Sequence, residues 1–141
     1  MIYVTRKVHF NAAHKMYNPD WSPEKNQLVF GPCSNENWHG HNYELEVTIA
    51  GIPDPDTGYV IDLKQLHQII DQKILQVCDH KNLNLDVPFM KGKLASTENF
   101  AISIWNELAP AFPDPAQARL FSVRLYETER NYVEYRGELF S

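Results

Sequence analysis

Two histidines separated by a single glycine, His39 and His41, have the spacing that most clearly allows chemistry in this sequence. Residues two apart in an extended segment project from the same face, so both imidazoles can bind one zinc ion. Gly40 leaves the opposite face bare. The plainer alternative is a loop pair that only forms hydrogen bonds, and a third ligand would favour the metal site.

Three predicted strands carry, at one of their two ends, side chains that can supply such ligands. They are residues 2–14, which end at His14, residues 39–49, which begin with His39 and His41, and residues 120–127, which end at Glu127. In each segment apolar residues alternate with polar ones, which is typical of a half-buried strand. If the strand ends meet, three histidines and a carboxylate converge at the edge of the core. Three neutral imidazoles leave a fourth position open, as in catalytic zinc sites.

Cys33 lies six residues before His39 and leaves the nature of the metal site open. As a thiolate it can fill the fourth coordination position, and such a closed site is structural rather than catalytic. Alternatively, it is a reactive thiol beside an open site. The spacing alone favours neither arrangement decisively.

An adjacent carboxylate and imidazole, Asp79 and His80, follow a predicted helix. The carboxylate can set the tautomer of His80 and raise its basicity, so that the histidine can activate a cysteine. A solvated helix end is the plainer explanation of this pair. Thr97 and Glu98 lie at the start of the next predicted helix, where Glu98 is favoured by the helix dipole.

The elements that must position these side chains follow the order ββααββ. The predicted strands are residues 2–14, 39–49, 120–127 and 131–136, and the predicted helices begin at the caps Asp62 and Ser96 or Thr97. This order predicts an α+β fold, with a four-stranded antiparallel sheet and two helices on one face. Residues 15–37 contain three prolines and are expected to be a long irregular segment with a functional role or high mobility.

Composition limits the class of protein further. A chain of 141 residues is expected to form a single domain, residues 1–141. Its formal net charge of −5 argues against nucleic acid as a partner. With two cysteines and no signal peptide or long apolar run, we expect a cytoplasmic protein without membrane association.

Six short motifs in order resemble the 6-pyruvoyl-tetrahydropterin synthase and 6-carboxy-tetrahydropterin synthase family. They are FNAAH at residues 10–14, FGPC at 30–33, HGHNY at 39–43, DHKNL at 79–83, STEN at 96–99 and YET at 126–128. The resemblance implies the tunnelling fold, in which trimers form a barrel. Two trimers stack into a homohexamer with active sites between subunits.

The resemblance also implies a role for each candidate residue. His14, His39 and His41 match the zinc ligands of the family, and Cys33 matches its catalytic thiol. Asp79 and His80 match the pair that relays protons, and Thr97 and Glu98 match the segment that binds the pterin. Glu127 matches a carboxylate that takes part in both the proton relay and the binding of the pterin. Lys15, Lys25 and Lys81 are candidates for contacts with the triphosphate of the substrate.

The implied activity is that of a zinc-dependent lyase. It converts 7,8-dihydroneopterin triphosphate to 6-pyruvoyl-tetrahydropterin, on the route to tetrahydrobiopterin, and releases triphosphate. Five residues, 34–38, separate Cys33 from His39, which favours this branch over the 6-carboxy-tetrahydropterin synthases of queuosine and deazapurine synthesis. The carboxy activity is the first alternative, and a non-catalytic zinc domain is the second.

Overall fold

The computed structural model describes residues 1–114 and 116–137. Its strands are β1 Ile2–His14, β2 His39–Gly51, β3 Lys81–Asn82, β4 Ala118–Tyr126 and β5 Tyr132–Tyr135. Its helices are α1 Pro23–Phe30, α2 Leu63–Ile70, α3 Gln76–Cys78 and α4 Thr97–Leu108. A π-helical turn, Asp71–Leu75, joins α2 to α3. No helix in the described part of the chain is long and apolar enough to cross a membrane.

The strands form one sheet in the order β3-β1-β2-β4-β5. The β1, β2, β4 and β5 strands pair antiparallel, as the sequence predicts. The predicted count of four strands is wrong, because β3 adds a fifth strand that runs parallel to β1. This strand has only two residues, which is too short for any alternation of apolar and polar residues to reveal it.

One face of the sheet packs against α2 and α4 and forms the core. Leu66 and Ile70 of α2 and Ile104 of α4 are fully buried against this face. The helices begin where the sequence predicts: the Asp62 side chain accepts a hydrogen bond from the backbone N–H of Lys64 at 2.9 Å. Ser96, rather than Thr97, caps α4. The two predicted helices therefore lie on the expected side of the sheet.

A β-bulge in β4 changes which residues face the core. Thr48 of β2 is paired with Ser122, but Ile49 is paired with Leu120, so Phe121 has no partner across the strands. Regular alternation along residues 120–127 would place Phe121 on the same face as Val123, and the register shift shows that this expectation is wrong. Phe121 instead packs on the ring of Tyr3, with ring centroids 4.7 Å apart. Alternation assumes a regular strand, and the bulge breaks it by one residue.

The predicted irregular segment, residues 15–37, contains a helix that its mixed sequence does not reveal. Only Asn26 of α1 is buried, and Leu28 on the same helix is 86% exposed, so no apolar face marks the helix. The Asn26 amide donates to the carbonyl oxygens of Asn18 and Ser22, each at 3.0 Å. Polar contacts therefore hold this segment in place.

Candidate active site

The three predicted histidines converge at one end of the sheet. The β1 and β2 register sets His14 opposite His39 and Ala12 opposite His41. The three imidazole rings lie 4.6 to 4.9 Å apart between centroids. One side-chain nitrogen from each ring lies within 4.8 Å of the others, which makes the cluster able to hold a metal ion.

The hydrogen bond of His14 orients its ring for metal binding. His14 is 2% exposed, and its Nδ1 lies 2.8 Å from the carbonyl oxygen of Ala95, so Nδ1 carries the proton and donates. Nε2 then has a free lone pair, as expected of a metal-binding imidazole whose other nitrogen is held by a carbonyl. The Nε2 atoms of His14 and His41 are both buried, and neither has a hydrogen-bond partner within residues 1–114 and 116–137. Because a buried polar atom without a partner is costly, these two atoms fit a site for a metal ion.

Burial also keeps the histidines in the form that binds metal. Burial is the largest cause that lowers the pKa of His14, and the nearby His39 lowers it further, against the opposing effect of the Ala95 carbonyl. Burial is likewise the largest cause that lowers the pKa of His41. Neutral imidazole is the species that coordinates a metal.

Glu127 lies just after β4 and faces the histidine cluster. Its Oε1 lies 3.6 Å from His41 Nε2, and its Oε2 accepts a hydrogen bond from the Thr97 hydroxyl at 2.5 Å. A cavity of about 150 Å³ lies at this point. It is lined by Thr97, Glu98, Glu127, Asn131, Tyr132 and Val133. The start of α4 and the end of β4 thus bring three predicted pterin-binding residues into one cavity.

Asp79 and His80 form a hydrogen-bonded pair at the edge of the sheet. His80 Nδ1 lies 3.0 Å from Asp79 Oδ1, which also accepts from the backbone N–H of Asn11 at 3.0 Å. This N–H is the largest cause that lowers the pKa of Asp79, and His80 contributes. His80 has a left-handed backbone, with φ of 60°, and its side chain is 76% exposed. The pair therefore presents its imidazole outward.

A groove of about 510 Å³ runs between His80 of this pair and His41 of the histidine cluster. It is lined by Asn11, Ala12, Ala13, Gly40, His41, Asn42, His80, Lys81, Asn82 and Asp86. Gly40 leaves this face bare, as its position between the two histidines predicts. His41 and His80 of one chain therefore border the same space.

Cys33 lies apart from the histidine cluster. It is an exposed free thiol in the 3₁₀ turn Gly31–Ser34, and its backbone carbonyl accepts from the Met16 N–H at 2.7 Å. Within the described residues, the group able to hold a metal consists of the three histidines and does not include Cys33. Cys33 is also absent from the lining of the groove that contains His80.

Two contributors to the site were not predicted from the sequence. The Ala95 carbonyl orients His14, but a main-chain atom leaves no signal in residue type. Trp38 has a left-handed backbone with φ of 58°, and its buried indole Nε1 has no hydrogen-bond partner. The Lys15 ammonium lies 4.6 Å from the centre of the Trp38 ring. One sequence signal could have pointed to Trp38, namely an aromatic residue directly before His39.

The fold and the site together define an α+β enzyme with a cluster of three histidines, able to hold a metal ion, beside a carboxylate. The family described as 6-pyruvoyl tetrahydropterin synthase matches residues 3–138. The chain therefore belongs to this family of lyases and has its tunnelling fold.

Individual relatives agree with this assignment. The chain is 44% identical to 6-pyruvoyl tetrahydrobiopterin synthase of Pongo abelii over 96% of its own length and 91% of the relative's. It superposes on the structure of Caenorhabditis elegans 6-pyruvoyl tetrahydropterin synthase with a TM-score of 0.89 and 35% identity, covering 97% and 96% of the two chains. A 6-carboxy-5,6,7,8-tetrahydropterin synthase of Rickettsia typhi is 28% identical, over 95% of this chain and 99% of the relative's.

Proposed function

We propose that this protein is a zinc-dependent lyase that converts 7,8-dihydroneopterin triphosphate to 6-pyruvoyl-tetrahydropterin and triphosphate. The observation that carries the proposal is the pair of buried, unpartnered Nε2 atoms of His14 and His41 beside the Glu127 carboxylate. A three-histidine centre with an open position is typical of catalytic zinc. The pterin substrate is supported by the relatives named as pterin synthases.

The ligands in this proposal are His14, His39 and His41. Zinc, when bound, supplies a Lewis acid that polarises the hydroxyl groups of the substrate side chain. The exclusion of Cys33 from the metal-holding cluster supports an open site over a closed, structural one. It therefore weighs against the non-catalytic zinc domain.

Glu127 is the proposed anchor of the pterin ring. Its two oxygens can accept from an adjacent ring N–H and amino group, and the Thr97 hydroxyl fixes the orientation of the carboxylate. Glu98 lines the same cavity and is proposed to assist this binding. Glu127 is also close enough to His41 to take part in the proton relay.

Cys33 is the proposed base that removes a carbon-bound proton from the substrate side chain. His80, oriented by Asp79 through its Nδ1, is the proposed partner that exchanges protons with the thiol. Transfer of the side-chain hydrogens to the ring and loss of triphosphate complete the reaction without a redox cofactor. We propose that Lys15, Lys25 and Lys81 contact the triphosphate.

We further propose that the enzyme is a homohexamer, a dimer of barrel-forming trimers with active sites between subunits. Cys33 and His80 are both exposed in the single chain, which supports their meeting across a subunit boundary. The sheet ends in two edge strands, β3 and β5, and the unpaired backbone groups of a sheet edge can pair with a second chain.

The pyruvoyl product is favoured over the carboxy product by two observations. The spacer between Cys33 and His39 has five residues. The chain is 44% identical to the relative named as a 6-pyruvoyl tetrahydrobiopterin synthase. It is 28% identical to the relative named as a 6-carboxy-5,6,7,8-tetrahydropterin synthase. 6-Carboxy-tetrahydropterin synthesis remains the alternative function.

We also propose that the chain acts as one domain in the cytoplasm. Both cysteines, Cys33 and Cys78, are free thiols, which suits a reducing compartment.

The Cys33→Ala variant tests the proposed function. We expect it to retain about one zinc per chain, because the three histidines are sufficient to hold the ion. Its turnover should fall roughly 100-fold or more, because the proton-removing base is lost. Metal analysis measures the first quantity, and mass spectrometry of the products from dihydroneopterin triphosphate measures the second.

Cys78→Ala is the matched control. Cys78 is fully buried, and burial raises the pKa of its thiol to about 12, so it cannot serve as a base at neutral pH. This variant should keep both zinc and turnover. Loss of zinc from Cys33→Ala would instead support the structural zinc domain, and a carboxy product from the wild type would establish the alternative activity.

A further inference from the structure

Arg6 is a partly buried cation that the proposed reaction does not use. It lies on the core-facing side of β1, opposite Val47, where the alternation of the strand would place an apolar residue. Its Nε atom is buried and has no hydrogen-bond partner among the residues that the structure describes. A buried donor without a partner is costly, so the position calls for an acceptor.

The guanidinium of Arg6 borders a cavity of about 300 Å³ beneath the first turns of α2. The cavity is lined by Arg6, Leu63, Lys64, His67 and Gln68. Leu63 has the helical spacing of the buried Leu66 and Ile70, but it is 52% exposed, which leaves the cavity open to solvent.

The four polar side chains of this cavity, those of Arg6, Lys64, His67 and Gln68, can all donate hydrogen bonds. Arg6 Nη2 lies 3.3 Å from His67 Nδ1, and because arginine remains protonated, it donates to this nitrogen. His67 is then neutral and carries its proton on Nε2, which makes it a donor as well. Lys64 and the Gln68 amide supply further N–H groups at the rim.

No acidic side chain in the described part of the chain forms an ion pair with this group of donors. Within residues 1–114 and 116–137, the observed ion pairs do not include Arg6 or Lys64. The nearest acidic group along the chain, Asp62, accepts from the Lys64 backbone N–H as the helix cap and does not line the cavity. The cavity is therefore a local cationic site on a chain of net charge −5.

We propose that this cavity binds a small phosphate-class oxyanion through Arg6, Lys64 and His67. A guanidinium presents paired donors that match the oxygens of such an ion. Arg6 and His14 are eight residues apart on β1, a separation of roughly 26 Å at the rise of an extended strand. The site is thus separate from the proposed active site and independent of its chemistry.

Titration of the metal-loaded protein with inorganic phosphate, at ionic strength matched with chloride, tests the proposal. Calorimetry should show binding to the wild type that is weakened about tenfold or more in Arg6→Gln, because a charged donor is lost. Lys64→Gln should weaken it by a smaller factor, and since Lys64 is exposed, this variant keeps the test valid if Arg6→Gln does not fold.

Arg119→Gln is the matched control. Like Arg6→Gln, it removes one positive charge at this end of the sheet, but from the exposed face. Arg119 is paired there with Ala50 and lies over the Phe121 ring. Phosphate affinity should be unchanged in this variant. No phosphate binding by the wild type, or equal affinities of wild type, Arg6→Gln and Lys64→Gln, would overturn the proposal.

Discussion

At the level of single residues, His14 joins the histidine cluster to the helical layer. One ring nitrogen donates to the Ala95 carbonyl, directly before the cap of α4, and the other faces Glu127 at 4.0 Å. The position of α4 and the orientation of this ligand therefore depend on each other. The start of α4 also provides Thr97 for Glu127, so one helix end sets the geometry of both sides of the site.

The lowered pKa values of His14 and His41 predict how the stability of the metal-free protein depends on pH. In the folded protein both histidines have pKa values below the usual 6.5. At a pH between these values and 6.5, the unfolded chain therefore binds more protons than the folded protein. The two histidines should therefore make their full contribution to the free energy of unfolding above pH 6.5. This contribution should be lost as the pH falls through their pKa values in the folded protein. Urea unfolding of the metal-free protein at about pH 8 and about pH 5 measures this change.

His14→Asn should make this pH dependence shallower, because it removes one of the two groups while it keeps a donor for Ala95. His9→Gln is the control, since His9 is exposed on the outer face of the sheet. An unchanged pH dependence in His14→Asn would contradict the assignment of this effect to His14.

The convergence of the histidines was predictable because it follows from two simple properties of strands. The alternation of side chains placed His14, His39 and His41 on the core face, and an antiparallel pair brings one strand's end beside the next strand's start. The Ala95 carbonyl and the left-handed Trp38 were not predictable, because they depend on main-chain positions that tertiary packing decides.

At the level of elements, the last residue of β2, Gly51, leaves no room for a side chain. A Cβ added to Gly51 would meet the backbone carbonyl of Gln117 and would lie 2.7 Å from Val60 Cγ1. Gly51→Ala should therefore lower the free energy of unfolding by about 1–3 kcal/mol, as overpacking of a core does. Denaturant unfolding of the metal-loaded protein gives this value.

Gly40→Ala on the same strand is the comparison. Its added methyl would have Ala12 O at 3.9 Å as its nearest contact, so its free energy of unfolding should stay close to that of the wild type. Equal losses in the two variants would show that the close approach at Gly51 does not limit stability.

The helices and long strands were predicted correctly where caps and alternation are strong. Asp62 and Ser96 signalled α2 and α4, and both accept the expected backbone hydrogen bonds. The sequence did not reveal α1, because its buried residue is the polar Asn26. It also did not reveal β3, which forms because the segment after α3 lies beside β1. Contacts distant in sequence form both elements, and local patterns do not report such contacts.

At the level of the whole molecule, the proposed hexamer makes a distinctive prediction about mixed subunits. Cys33→Ala and His80→Ala should each be inactive alone. If Cys33 and His80 of one site come from different subunits, co-expressed variants should regain about a quarter of wild-type turnover, from random assortment in a closed oligomer. Turnover per subunit of the purified mixture is the measurement.

The control mixes Cys33→Ala with the double variant that also carries His80→Ala. No site in this mixture contains the wild-type cysteine, so no activity should return. If the first mixture also stays inactive while its subunits are shown to co-assemble, each site uses Cys33 and His80 of a single chain.

The bulge at Phe121 determines where β4 can change in length. A chain that lacked this one residue would keep Leu120 opposite Ile49 and Ser122 opposite Thr48, so Glu127 would still face the histidines. One residue gained or lost between Ser122 and Glu127 would turn the carboxylate to the other face of the sheet. In alignments of related chains, gaps within this strand should therefore cluster at the bulge and leave the stretch that leads to the active site at constant length.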